Sequence, residues 1–103
     1  MRQRGFLRSD KRFTVRFGAV APTEEGMTVD LSHKGLCFRC DELPKSPEIV
    51  IHLDAGQETL ELIARRRWSK EVMRLNQQRF QVGVEVVQAP RSYHRLVQKL
   101  VYH

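Results

Sequence analysis

The chain has 103 residues, 41% of them apolar and 29% charged, with a formal net charge of +6. That is one domain of ordinary globular balance, which excludes a disordered tail, a collagen-like chain and a coiled coil. No window approaches the roughly 18 uninterrupted apolar residues of a spanning helix. The basic start, Met-Arg-Gln-Arg-Gly-Phe-Leu-Arg, has no apolar stretch behind it, so it does not read as a secretory signal and the expected compartment is the cytoplasm.

Residues 1–12 read as a flexible basic arm, and residues 13–103 as the folded unit. Apolar side chains then alternate with polar ones six times. The runs are Phe13-Val15-Phe17, Met27-Val29-Leu31, Leu36-Phe38-Cys40, Ile49-Ile51-Leu53, Leu60-Leu62-Ala64 and Phe80-Val82-Val84-Val86. A period of two is the mark of a strand with one buried face. Turn residues separate the runs: Ala-Pro-Thr-Glu-Glu-Gly at 21–26, His-Lys-Gly at 33–35, Leu-Pro-Lys-Ser-Pro at 43–47 and Asp-Ala-Gly at 54–56. Residues 69–78 fit either a short helix or the tip of a long hairpin, and the hairpin is favoured.

After Pro90 the period changes. Tyr93, Leu96, Val97, Leu100 and Val101 form one helical stripe, predicting a helix over about 91–102 with Ser92 as its N-cap and Lys99 in its last turn. The fold class is therefore mainly β: a small six-stranded antiparallel barrel with a C-terminal α-helix over an opening or flank. Closure is expected because it removes exposed edges.

Cys37 and Cys40 are the two cysteines, too few for a disulfide scaffold. A single Cys-x-x-Cys does not complete a zinc site, and in a strand its thiols point to opposite faces. His33, His52, His94 and His103 are scattered, so no metal site and no cofactor is expected. Ser32 has no partner set for nucleophilic catalysis, and phosphate-loop and dinucleotide glycine patterns are missing. The chain does not read as an enzyme.

The charge is uneven. Residues 1–16 hold six basic residues against one acidic, 17–63 three against nine, and 64–80 six against one. Two basic segments around an acidic middle suggest an anionic partner. Within the first, Arg4, Arg8, Arg12 and Arg16 recur every four residues. After the second alternating run comes Asp30-Leu31-Ser32-His33-Lys34-Gly35. If Val29 and Leu31 point inward, Asp30 and Ser32 share the outer face as an acceptor beside a hydroxyl. Gly35 can adopt φ > 0 and let a ligand approach the backbone. A carboxylate accepts from the N1–H and N2–H₂ of guanine, and arginine grips phosphate and stacks on bases.

Together these residues resemble the PilZ domain family, bacterial receptor modules for cyclic di-GMP. The family pairs an R-x-x-x-R motif before the first barrel strand with a (D/N)-x-S-x-x-G motif after the second. Here Arg8-Ser9-Asp10-Lys11-Arg12 leads into Phe13, and Asp30 to Gly35 leads into Leu36. Ala64-Arg65-Arg66-Arg67-Trp68 and Val82-Gly83-Val84-Glu85-Val86 also resemble family segments, so the likeness covers nearly the whole chain. Arg8/Arg12 is the preferred motif pair because an alternating strand follows it directly; Arg12/Arg16 and Arg4/Arg8 satisfy the spacing too.

The resemblance implies a split-barrel PilZ-like fold with Arg8, Arg12, Asp30, Ser32 and Gly35 as ligand residues. Arg16, Trp68, Lys34 and Arg4 are further candidates. It also implies an arm that closes over the ligand, an unidentified effector protein, and control of motility, attachment or exopolysaccharide. Leu7, where relatives that take a ligand dimer often carry arginine, leans toward one ligand per domain. The alternatives are a basic barrel for single-stranded nucleic acid and an adaptor that has lost its ligand. The first lacks the exposed aromatics such sites use, since the Phe residues sit on apolar faces. The intact motifs argue against the second.

Overall fold

The computed structural model describes residues 8–72 and 79–102. Six strands precede one helix: β1 (Thr14–Gly18), β2 (Glu24–Leu31), β3 (Gly35–Cys40), β4 (Glu48–Asp54), β5 (Thr59–Glu71), β6 (Phe80–Gln88) and α1 (Arg91–Tyr102). The strands close into a barrel in the order β1-β2-β3-β6-β5-β4, all pairs antiparallel, with β4 returning to β1 through Val15↔Leu53 and Phe17↔Ile51. Closure satisfies both ladders of every strand and leaves no edge.

Five of the six alternations hold as expected. Val15, Phe17, Phe38, Cys40, Ile51, Leu53, Leu62, Ala64 and Val82 have no exposed surface and fill the barrel. The tip of the hairpin at 73–78 lies outside the described residues, but its stem is there. β5 runs unbroken to Glu71, β6 pairs with it from Phe80, and Val72 N–H donates to Arg79 O at 2.7 Å. The β4–β5 turn at Asp54-Ala55-Gly56 is also formed. Gly56 takes φ 94°, and its N–H donates to Asp54 Oδ1 at 3.0 Å.

β2 departs from strict alternation. Met27 and Val29 were expected to face inward with Leu31. The pairing with β3 instead slips between Thr28 and Asp30, so Gly26, Thr28 and Leu31 are buried while Met27 and Val29 are only partly so. One extra residue opposite an uninterrupted partner is a β-bulge, and it switches which face the later side chains take. The inward position goes to a threonine for a reason. Before β1 the chain bends away from the ladder, and Thr28 Oγ1 fills the gap. It accepts from Phe13 N–H at 2.8 Å and donates to Lys11 O at 3.2 Å. A methyl there would leave both groups unpaired.

α1 packs its predicted stripe onto one end of the barrel. Tyr93 and Val97 are fully buried, and Leu96, Leu100 and Val101 lean on the same core. The helix starts at Arg91, so Ser92 sits in its first turn and does not cap it. Pro90 O accepts Tyr93 N–H at 3.0 Å. No helix among the described residues is long and apolar enough to cross a membrane.

Cys40 points into the core and Cys37 to the opposite side, both as free thiols. Burial pushes the Cys40 thiol up to about 12, and burial likewise raises the Tyr93 phenol above its usual range. Each group resists losing its proton in the folded state and loses it sooner in the unfolded chain. Their stabilising contribution is therefore complete below pH 9 and declines as pH rises toward 12. The midpoint of urea unfolding should hold steady from pH 7 to 8.5 and fall steadily above pH 9; a flat profile to pH 11 contradicts the assignment. Thr28→Val should lower unfolding free energy by about 1–3 kcal/mol in the same assay, the cost of stranding a buried polar group.

Candidate functional site

The corner between β2 and β3 sets the geometry. Ser32 N–H donates to Gly35 O at 2.8 Å, and the Ser32 hydroxyl bridges the same turn, donating to Gly35 O at 3.2 Å and accepting from Gly35 N–H at 3.3 Å. Ser32 is therefore buried and committed to the turn, not a freely exposed hydroxyl beside Asp30. Gly35 is not at positive φ either; among the described glycines only Gly56 is. Glycine is needed at 35 because β6 crosses so closely that a Cβ would lie 2.5 Å from Val84 O. Val86 N–H then donates to Lys34 O at 2.8 Å and locks the corner onto β6.

Two further contacts tie this corner to α1. The Tyr93 hydroxyl, fully buried, donates to Ser32 O at 2.7 Å. His33 and His94 share a hydrogen bond between their Nδ1 atoms, 3.0 Å apart.

The basic arm reaches the corner from the other side. Ser9 and Leu31 exchange two backbone hydrogen bonds, each 2.9 Å, which add a residue of pairing to the end of β2. That places Arg8 beside Asp30, with Nη1 2.7 Å from Oδ1. The partner of Arg8 is thus Asp30. The Arg8 side chain is 58% exposed. Such a pair contributes about 0.2–1 kcal/mol, little enough for an incoming anion to displace.

The opposite wall comes from β5. Its pairing with β6 slips between Arg66 and Trp68, a second bulge. Consecutive strand residues normally face opposite ways, but here Arg67 and Trp68 both line one groove with Arg8 and Asp30. Arg66 turns away to donate to Pro44 O at 2.8 Å, and Arg65 pairs with Glu48 at 3.2 Å. Trp68 is 45% exposed and lies against Gly83, where a Cβ would collide with the indole. Lys70 Nζ stands 6.0 Å from the indole centroid. Arg67 Nη1 approaches Glu85 Oε1 at 3.4 Å.

The result is an open groove of about 380 Å³ with Gly35, Cys37 and Gly83 among its floor residues. Gln81 donates to Cys37 Sγ at 3.1 Å, which fills that side of the floor. Of the residues singled out in the sequence, the groove gathers Arg8, Asp30, Ser32, Lys34, Gly35 and Trp68. Arg12 is exposed outside it. Arg16 is exposed on β1, between Glu25 of β2 and His52 of β4. Arg4 and Leu7 lie outside the described residues. The sequence placed Gly83, Glu85 and Arg67 in family-like segments but assigned none of them to the site. A glycine inside a strand signals close approach, so Gly83 was available as a clue. The facing of Arg67 depends on the bulge and was not.

A closed six-stranded barrel with one terminal helix and this corner beside a basic groove is the PilZ-like fold. The structure of the Bacillus subtilis inhibitor of motility MotI/DgrA is similar, with a TM-score of 0.74 and 11% identity over 96% of this chain. This chain spans 49% of that protein's length. The PilZ domain of Escherichia coli YcgR, solved with c-di-GMP, is similar with a TM-score of 0.69 and 12% identity, covering 98% of this chain and 90% of that one. No protein-family model and no curated protein matches the sequence.

Trp68 is the chain's single tryptophan, so its emission reports on the groove. Gly83→Ala should push the indole off its shelf and shift emission to the red, with far-ultraviolet circular dichroism preserved. An unchanged spectrum would contradict the packing of Trp68 on Gly83.

Proposed function

We propose that this chain is a receptor for cyclic di-GMP that works by binding and not by catalysis. One observation carries the reading: a single groove gathers Arg8, Asp30, Ser32, Lys34, Gly35 and Trp68 from distant parts of the chain. The residue types match the ligand. Guanidinium complements phosphate, and carboxylate complements the guanine N1–H and N2–H₂. The exposed indole offers a face on which a base stacks. A PilZ-like neighbour solved with c-di-GMP adds support.

On this reading Arg8 exchanges its exposed pairing with Asp30 for a phosphate, and Asp30 is released to accept from a guanine. The exchange gives up an exposed pair worth about 0.2–1 kcal/mol, and the ligand's phosphate and guanine supply new partners for both of its members. Ser32 acts by holding the corner, and Gly35 by keeping it close to β6. Arg12, four residues further along the arm, joins as the arm closes over the ligand. Ordering of a segment on binding is a common way to change an exposed surface. The corner also touches α1 through Tyr93 and His94, so the helix is a second route to an effector protein. The cytoplasm is the compartment, and motility, attachment or exopolysaccharide the process, that fit such a receptor.

Isothermal titration with cyclic di-GMP, beside GMP as a control, tests this directly. Wild type should bind cyclic di-GMP in preference to GMP, and Arg8→Ala should weaken binding at least tenfold. Arg12→Ala should also weaken it, with hydrogen exchange slowing over residues 8–16 on saturation. Absence of wild-type binding rejects the receptor reading. Tight binding without change in residues 8–16 rejects arm closure alone.

A further inference from the structure

We infer that Arg67 and Glu85 form a second half-site in the same groove and read the second guanylate of the ligand, an inference that rests on the cyclic di-GMP reading above. The groove holds not one guanidinium–carboxylate pair but two. Arg8 and Asp30 stand on one side of β3, 2.7 Å apart, with Asp30 opposite Cys37 in the ladder. Arg67 and Glu85 stand on the other side, 3.4 Å apart, with Glu85 opposite Gly35. Adjacent strands lie about 4.8 Å apart, so the two carboxylates rise from the sheet roughly 10–12 Å from each other.

Cyclic di-GMP is two-fold symmetric. Each half carries one phosphate and one guanine with donors at N1 and N2 and acceptors at O6 and N7. A guanidinium–carboxylate pair complements one half: the carboxylate takes the donors, and the guanidinium takes the acceptors or the phosphate. Two pairs flanking one strand present that complement twice.

Three features set Arg67 and Glu85 apart from an ordinary surface pair. The β5 bulge between Arg66 and Trp68 turns Arg67 toward the groove beside Trp68, whereas regular alternation would send the two to opposite faces. Neighbouring Arg65 and Arg66 are bonded outside the groove, to Glu48 and Pro44 O. The Arg67–Glu85 contact is long, and its side chains are 61% and 49% exposed, so its members are easily released.

Titration of wild type, Arg67→Ala, Arg67→Lys, Glu85→Gln and Arg65→Ala with cyclic di-GMP and cyclic di-AMP tests the inference. Circular dichroism establishes that each variant is folded. Arg67→Ala and Glu85→Gln should each weaken cyclic di-GMP binding at least tenfold. Arg67→Lys, which keeps the charge but loses the planar fork, should fall between wild type and Arg67→Ala. Arg65 stands opposite Glu85 in the β5–β6 ladder but its side chain is paired with Glu48 and does not line the groove, so Arg65→Ala removes the same charge from the next position and should bind within twofold of wild type. Glu85→Gln should also narrow the preference for cyclic di-GMP over cyclic di-AMP. Wild-type binding with Arg67→Ala and Glu85→Gln both within twofold overturns this second half-site and leaves the receptor reading standing. Equal losses from Arg65→Ala and Arg67→Ala overturn it as well, because overall charge then accounts for the effect. Failure of wild type itself to bind removes both.

Discussion

The Tyr93 hydroxyl has one place to put its proton. The side chain is fully buried, and its hydroxyl donates to Ser32 O at 2.7 Å. An unpaired phenol there would lose its hydration with nothing in return. That bond, with the His33–His94 contact and the apolar stripe of the helix, ties α1 to the far end of β2. Everything at the groove is positioned from this corner. Ser32 closes the turn on Gly35, Gly35 admits the β6 backbone, and β6 presents Gly83 to Trp68 and Glu85 to Arg67. A helix whose apolar stripe is ordinary core packing is thereby joined to the polar residues outside the barrel.

Two irregularities turn a regular barrel into a site. Uninterrupted alternation in β2 would bury Val29 and leave Thr28 outside, with no hydroxyl to receive Phe13 N–H where the arm bends. Uninterrupted alternation in β5 would separate Arg67 from Trp68. Each bulge adds one residue and shifts the rest of its strand by one face. In β2 the change lets the arm reach Leu31 and bring Arg8 to Asp30. In β5 it lines the groove with an arginine and an indole in succession. A further slip in the β5–β6 pairing, between Ile63 and Ala64, lies away from the groove.

The electrostatics favour exchange over permanent pairing. Both groove arginines already have carboxylate partners, so the groove carries no excess of stranded charge. Both pairs are exposed enough that solvent screens them. The cyclic di-GMP proposed above would offer each guanidinium a phosphate and each carboxylate a set of donors. Structural cations elsewhere are held differently. Arg66 donates to a backbone carbonyl at 2.8 Å and is partly buried, which ties it to the β3–β4 connection.

Much of the fold was legible in the amino-acid order. Six period-two runs gave six strands, the switch to a 3.6-residue stripe after Pro90 gave the helix, and the small size called for closure of the sheet. Of the two motifs, Asp30, Ser32, Gly35 and Arg8 line one groove and Arg12 does not. The runs and the stripe are local: a strand or helix records its buried face in its own spacing. The bulges are not local. Whether Val29 or Thr28 faces inward depends on how β3 lines up against β2, and whether Arg67 faces the groove depends on how β6 lines up against β5. The same holds for the need for glycine at 35, which comes from Val84 O and not from a turn. So the chain's order determined the barrel, the helix and the presence of Arg8, Asp30 and Trp68. Only the tertiary structure decided that Arg8 and not Arg12 stands in the groove, that Ser32 is spent on the corner, and that Arg67 and Glu85 complete the wall. The physical reason is that strand register is set by partners distant in sequence, and one residue of slip reverses the facing of every side chain beyond it.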